Sequence, residues 1–506
     1  MVYKNSVDAV FLFNMMTNKK DGSHRSLLQQ IARNAMQDKG FLIDFPPAVM
    51  VSLNKLQEKV LNIADPVRDL RDLAWCSIDN DDSEDLDQLS VAVPTTSGEV
   101  KILIAIADVD SVVDKNSIFE DHANHNTTSV YTSAQIFPML PEKLSTDLTS
   151  LKYDADRSAI VVEFILSADG SIQSSDIYPA AVRNKAKLAY NSTNAWLVGA
   201  GDMPIAIGSV KGLDQNLRLQ YEAAKKLKDL RYNSGALSLE TIEARPVFLG
   251  DEVSSLEEEK MNEAKDIIQE FMICANSITA RFLTSGNFPS IRRVVRVPKR
   301  WDRIVELASS WKFKLPPEPD SKALDQFLLS AKSADPVGFP DLSLSIIKLL
   351  GSGEYVVELP GGKSAGHFGL AIKDYTHSTA PNRRYPDLIT QRLLKAALNK
   401  REVPFSNDEL EALALHCTNM EDGARKVERQ VGKSTAALLM QGSIGRQFDG
   451  IVTGVSDKGV WVRIFHPPVE GKVVTGFEGL DVGNRMRVQL IHTDVNRGFI
   501  DFKRVG

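Results

Sequence analysis

Cysteine is scarce in this chain. Cys76, Cys274 and Cys417 stand far apart in a sequence of 506 residues. So sparse and odd a set argues against a disulfide framework and for a reducing compartment, taken here as the cytoplasm. The same spacing excludes a cysteine-based zinc site. No apolar run reaches the length that spans a bilayer, so no membrane partner is expected. The opening stretch "MVYKNSVDAVFLFNMM" has Asp8 inside its apolar part and no small-residue cleavage site behind it, so it does not read as a signal peptide. Positive charge is not in excess either. The formal net charge is −6, which excludes a wholesale basic wrapper of nucleic acid but leaves room for a local basic channel. Internal repeats and long low-complexity segments are also missing.

What remains is a globular composition, 43% hydrophobic and 25% charged, in a chain long enough for two to four domains. The expected class is multidomain α+β. Residues 1–65 read as a small helical or winged-helix N-terminal domain. In "SHRSLLQQIARNAMQDKGF" the apolar positions fall at helical spacing, with Ser23 as N-cap and Gly40 as stop. "DFPPAVMVSLNKLQEKVLN" predicts a further helix with Pro near its start. Residues 66–442 read as a mixed α/β body. "EVKILIAIADV" and "SAIVVEFIL" are strands, separated by a proline-marked connection. "LEEEKMNEAKDIIQEFMICANSITARFL" predicts a helix ending at Gly286, and "PDLITQRLLKAALNKR" and "EALALHCTNMEDGARKVERQVGKSTAALLM" predict two more. Residues 443–506 carry short β-rich runs broken by Gly, Asp and Asn, the texture of a five-stranded OB-type barrel. Phe448, Trp461, Phe465 and His466 there either offer stacking faces or fill the barrel; the pattern leaves both open.

Two segments carry chemistry. "SIDNDDSEDLDQLS", residues 77–90, packs six carboxylates between two apolar runs. A solvated acidic loop is the plain explanation. An EF-hand loop is excluded, because Glu84 and Ser90 stand where Gly and Glu would be required. The third explanation is a hard-cation site, since a bound dication would relieve the mutual repulsion of the acids. The second segment, "HFGLAIKDYTHSTAPNRRYPDLITQRLL", places Arg383, Arg384 and Arg392 around a Tyr-Pro-Asp step that leads into a helix. Arginine pairs bidentately with phosphate, and cleavage of a phosphodiester beside a metal needs such a group.

Together these segments resemble the ribonuclease II and ribonuclease R family, the RNB exoribonucleases. "IAIADV", "VYTSAQIFPMLP", "LSTDLTSL", "RYNSGALSLE" and "EFMICAN" also resemble family stretches, in the family's order, and the tail resembles its S1-type OB fold. Family members commonly begin with cold-shock OB folds, which residues 1–65 do not resemble. The resemblance implies a hydrolytic, metal-dependent 3′→5′ exoribonuclease acting on single-stranded RNA 3′ ends and releasing nucleoside 5′-monophosphates, and a monomer is expected. It implies that Asp79, Asp85, Asp87 and Gln88 hold Mg²⁺, or Mn²⁺, and the attacking water, with a two-metal arrangement stabilising both reacting oxygens. Asp85, Asp87 and Arg383 are the implied catalytic residues, with Arg383 on the scissile phosphate and Arg384 supporting it. Tyr131 is implied to stack on the terminal base. Phe448, Trp461, Arg292 and Arg293 are further candidates for RNA contact, the last two within a basic strip, "IRRVVRVPKRW", that reads equally as a solvated charged face.

Departures from the family pattern qualify this expectation. Gln88 stands where the acidic motif normally ends in a second consecutive Asp, and Ser378 where an aromatic is usual. Leu239 and Gln269 align with an aromatic and an acid that guide the RNA in some relatives. Gln88 keeps a second function open, an RNA-binding protein with a decayed site. Two other motifs read as structural: the His122/His125 pair of "HANH" as a helix-surface pair, and "PGGKSAGHFG" as a turn without P-loop spacing.

Overall fold

In the computed structural model, residues 23–56, 68–95 and 99–505 are described. The N-terminal part is helical: helices span His24–Asp38 and Pro47–Leu56, with no strand among its described residues. Ser23 caps the first helix through its hydroxyl, which accepts from the Ser26 N–H, and Gly40 follows the helix at φ +79°, a conformation that costs a side-chain-bearing residue energy. Residues 1–22 and 57–65 of the predicted domain lie outside the described residues.

The body is built on a seven-stranded sheet in the order β1-β8-β7-β4-β3-β2-β9. The strands are β1 (Arg68–Asp69), β2 (Cys76–Asp79), β3 (Gln88–Pro94), β4 (Val100–Ala107), β7 (Asp156–Leu166), β8 (Ile172–Arg183) and β9 (Ala186–Ala189); a small hairpin, β5 (Val130–Tyr131) and β6 (Ile136–Phe137), lies between them in sequence. From β2 through β3, β4 and β7 to β8 each neighbouring pair is antiparallel, while the two edge strands pair parallel, β1 with β8 and β9 with β2. Both faces are buried. Leu89, Val91, Leu103 and Ala105 meet Leu388, Ile389 and Leu393 of the helix Tyr385–Leu398. Ala92, Ile102, Ile104 and Ile106 meet Leu217, Ala224, Ile267 and Phe271 of the helices Leu213–Asn233 and Glu263–Ser285. Double-sided burial explains why "ILIAIA", residues 102–107, is apolar throughout instead of alternating.

β2 and β3 pair at a single position, Cys76 with Ser90, and then diverge. The acidic residues fill the loop that opens between them. The connection from β4 to β7 supplies a helix, Ile118–Asn126, the β5–β6 hairpin and a wide turn at Lys143–Leu148.

Two expectations are corrected. Leu256–Glu259, assigned to the start of a long helix, instead ends the strand Glu252–Glu259, which pairs with Glu243–Leu249. The helix starts only at Glu263, where the Asn262 side chain accepts from the Lys265 N–H. His122 is not on the helix surface. It is buried against Phe45, with ring centroids 4.1 Å apart, and its Nε2 lies 3.0 Å from Asn126 Nδ2.

The tail forms a closed five-stranded barrel from Gln447 to Arg504. Its core is continuous with Ala437, Leu438 and Met440 at the end of the long helix Asn407–Met440, and with Leu28 and Ile31 of the N-terminal helix. Arg463 of the barrel donates from Nε and Nη2 to the buried carboxylate of Asp341 at 3.1 and 2.7 Å. The barrel is therefore joined to the body through both apolar and ionic contacts.

Candidate active site

The acidic loop and the arginine loop meet at Asp87. This residue ends the acidic loop, and its carbonyl still accepts from the Ala107 N–H, so the β3–β4 ladder fixes its backbone. Its side chain is buried, 1% exposed. Oδ1 accepts from the backbone N–H of Asn382 at 3.0 Å, and Oδ2 from Arg383 Nε at 3.2 Å. Burial pushes the Asp87 carboxyl up to about 7, against the opposing pull of Arg383 and with some help from the charge of Asp85. Arg383 is held from one side only. Its side chain remains 41% exposed, and its two Nη groups make no hydrogen bond among the described residues.

Asp85 is half-buried and accepts from the Tyr131 hydroxyl at 2.7 Å. The β5–β6 hairpin delivers that tyrosine, and the Tyr131 N–H donates to Glu428 of the long helix at 3.1 Å. Tyr131 keeps 39% of its surface exposed, enough for a stacking partner. Asp79, at the end of β2, accepts from the Asn80 N–H at 2.7 Å and from the Ser83 hydroxyl at 2.9 Å. Burial raises its carboxyl as well, and those hydrogen bonds and Arg383 only partly offset it. Gln88 opens β3 beside Asp87; it is buried, and its amide makes no hydrogen bond among the described residues.

Asp79 and Asp87 thus each feel the charges of Asp85 and Arg383. Their oxygens are the donors that Mg²⁺ or Mn²⁺ prefers, and a dication would relieve the cost of burying Asp79 and Asp87 in charged form. They are not drawn into a closed cage: among the described residues, no group of three or more His, Cys, Asp or Glu side chains is arranged to hold a metal ion. The residues fit such an ion by donor type and burial.

Other sequence candidates fall elsewhere. Arg292 and Arg293 do not form a surface strip. Both are buried in the strand Ser290–Val294, with Arg292 paired to Glu358 at 2.9 Å and Arg293 to Glu421 at 2.8 Å, so the structure corrects their assignment to RNA contact. Arg384 also turns inward, to Asp387 at 2.7 Å, which makes it a support for the loop and not an RNA-facing group. Arg392 is buried against Glu120 and Asp110. Ser378 donates through N–H and hydroxyl to Asn276 Oδ1 at 2.8 and 2.9 Å, filling with polar contacts the place where an aromatic was expected.

A cleft of about 1400 Å³ opens beside this site. Asn80 and Tyr190 line its inner end, Leu239 and Gln269 its wall, and Phe448, Phe465 and His466 of the barrel its far side. Phe448 also packs edge-on against Phe502, at 6.4 Å between ring centroids, so it belongs partly to the barrel interior. Trp461 is half-buried and does not line the cleft. Tyr190, the Asn382 N–H and Asp387 were not singled out from sequence. A backbone N–H carries no residue signature, and a lone Tyr in "LAYNSTN" has no spacing to mark it.

Comparisons of sequence and fold identify relatives of this chain. The model of the RNB domain matches residues 67–400, and that of the RNase II-type exonuclease C-terminal S1 domain matches residues 446–505. Ribonuclease R of Vibrio parahaemolyticus is 30% identical over 450 residues, which cover 85% of this chain and 52% of that protein. Ribonuclease R of Escherichia coli is 30% identical over 449 residues, covering 85% and 54%. This chain spans about half the length of the curated relatives it matches. The solved structure of Mycoplasma genitalium RNase R in complex with ribose methylated single-stranded RNA shares the fold, with a TM-score of 0.83 and 23% identity over 94% of this chain and 77% of that one. With two thirds of its length matched by the RNB domain and its tail by the matching S1 domain, the chain belongs to the RNase II and RNase R family of RNB proteins.

Proposed function

We propose that this chain is a metal-dependent, hydrolytic exoribonuclease that degrades single-stranded RNA from its 3′ end to nucleoside 5′-monophosphates. The observation that carries the reading is the pairing of the buried Asp87 with an arginine whose fork stays open. The Arg383 Nη groups suit a non-bridging phosphate oxygen. Asp87 then stands next to the phosphorus, where its carboxylate orients a water and takes up its proton. Asp79, Asp85, Asp87 and the Gln88 amide would hold Mg²⁺ or Mn²⁺, which supplies Lewis-acid polarisation of the phosphate. Tyr131 stacks on the last base while its hydroxyl steadies Asp85. Stacking accepts every base, as a degradative enzyme requires. Phe448 in the cleft adds a second stacking surface for the incoming strand.

The test is single-stranded RNA with Mg²⁺, with and without a chelator, for the wild type and Asp87→Asn. The expected result is hydrolysis by the wild type alone, abolished by the chelator. RNA binding without cleavage at any Mg²⁺ or Mn²⁺ concentration would favour the decayed site instead. Restoration of cleavage by Gln88→Asp would then locate the decay at that residue.

A further inference from the structure

We infer that Asp387, which touches neither Asp87 nor the cleft, is the positioning residue that holds the catalytic arginine loop in shape; the inference rests on the exoribonuclease reading of this site. The helix Tyr385–Leu398 begins unusually. Its N-cap is Arg384, whose side chain accepts no hydrogen bond from the helix, and Pro386 occupies the first turn. The acceptor comes from inside the helix. Asp387, fully buried, turns back so that one oxygen, Oδ1, accepts from the Ala380 N–H at 2.9 Å and from Arg384 Nη2 at 2.7 Å. Ala380 is the hub of the loop, because its carbonyl also accepts from the N–H groups of Arg383 and Arg384 at 3.2 and 2.9 Å. The segment 380–387 is thereby closed into a ring.

Inside that ring lie both donors that clamp Asp87, the Asn382 N–H and the Arg383 guanidinium. From the other side the loop is tied to the connection before β5, by Ser129 N–H to Arg383 O at 2.9 Å and Tyr385 N–H to Thr127 O at 2.8 Å. Those bonds hold the outgoing half; Asp387 holds the incoming half. Cutting the Ala380 tie lets Asn382 and Arg383 shift together, and a displacement of the order of 1 Å at a reacting centre lowers turnover by roughly a hundredfold.

The second oxygen of Asp387 makes no hydrogen bond. Asparagine therefore keeps both contacts through its own Oδ1, while it removes the charge and buries an amide NH₂ at the place of the unpartnered oxygen. The experiment compares wild type, Asp387→Ala and Asp387→Asn on a single-stranded oligonucleotide, with kcat, RNA affinity in chelator and thermal midpoint measured for each. Asp387→Ala is expected to lose about ten- to a hundredfold in kcat with RNA affinity within about threefold of wild type. Asp387→Asn should recover most of that turnover although its midpoint falls too, because Arg384 loses its counter-charge. A folded Asp387→Ala with wild-type kcat overturns the inference and leaves the exoribonuclease reading standing. Turnover that follows the thermal midpoint in both variants, with no recovery in asparagine, overturns it as well. A wild type that binds RNA without cleaving it overturns the functional reading, and the inference with it.

Discussion

Asp87 touches both halves of the site at once, through the β3 ladder on one side and the arginine loop on the other. Asparagine at this position keeps the shape but removes the charge that orients water in the proposed mechanism. Asp87→Asn should therefore lower kcat by about a thousandfold or more while single-turnover RNA binding stays within a few-fold, read by filter binding in chelator. Tyr131 separates two effects. Tyr131→Phe loses only the bond to Asp85, and Tyr131→Ala loses the ring as well. The phenylalanine variant should slow every cleavage slightly, whereas the alanine variant should lengthen the final product, visible on a sequencing gel. An unchanged product in Tyr131→Ala would mean that the exposed ring has no stacking role. His122 bears on stability instead. Burial lowers its pKa to about 4 from an ordinary value near 6.5, so the native state keeps it neutral while the unfolded chain takes up a proton. The sign follows: its contribution is complete above about pH 6.5 and is lost as the pH falls toward 4, by up to about 3 kcal/mol. His122→Gln should flatten the fall in denaturation midpoint over that interval, and equal slopes would contradict it. Among the residues, the acids, Arg383 and Tyr131 were picked out because their types and order resemble a known family, and the structure brings Asp87 to Arg383 and Asp85 to Tyr131. Arg292 and Arg293 misled because charge in a sequence reads as surface, and only the fold discloses Glu358 and Glu421 as their buried partners.

At the scale of elements, periodicity located most helices and strands. The helix from Ser23 to Gly40, the doubly buried β4 and the barrel all follow from spacing and turn residues. The segment Leu256–Glu259 failed because a run of glutamates favours helix locally, while pairing with Glu243–Leu249 draws it into a hairpin. Contacts between elements left no trace in any local pattern. The clearest is the barrel's attachment. Arg463 and Asp341 are both nearly buried, so Arg463→Ala strands a carboxylate and should cost about 3 kcal/mol, measured by denaturant unfolding. A loss below about 1 kcal/mol would show the barrel to be only loosely seated. For the same reason, removal of residues beyond 443 would expose Leu28, Ile31 and Leu438, so the barrel is not a detachable appendage.

Across the whole molecule, the negative net charge finds its counterpart in the cleft. Lys260, Lys265, Arg463 and Arg485 line it, but so do Glu240, Glu258, Glu259 and Asp449. Lys265 is already paired with Glu259, and Arg463 with Asp341. Few cations are left to displace counterions from RNA. Affinity for a short single strand should therefore depend weakly on salt, with a slope of log affinity against log salt no steeper than about −2. A slope near −5 would point to a basic surface outside the cleft. The most direct measurement follows the fate of the two ends of one RNA. A single-stranded oligonucleotide is labelled at its 5′ end in one sample and at its 3′ nucleotide in another, then incubated with wild-type protein and Mg²⁺. The 5′ label should move through a ladder of single-nucleotide steps, while the 3′ label appears first as a nucleoside 5′-monophosphate, and both should fail in Asp87→Asn. Release of the 5′ label first, internal fragments, or intact RNA on a protein that binds it would contradict a 3′→5′ exoribonuclease.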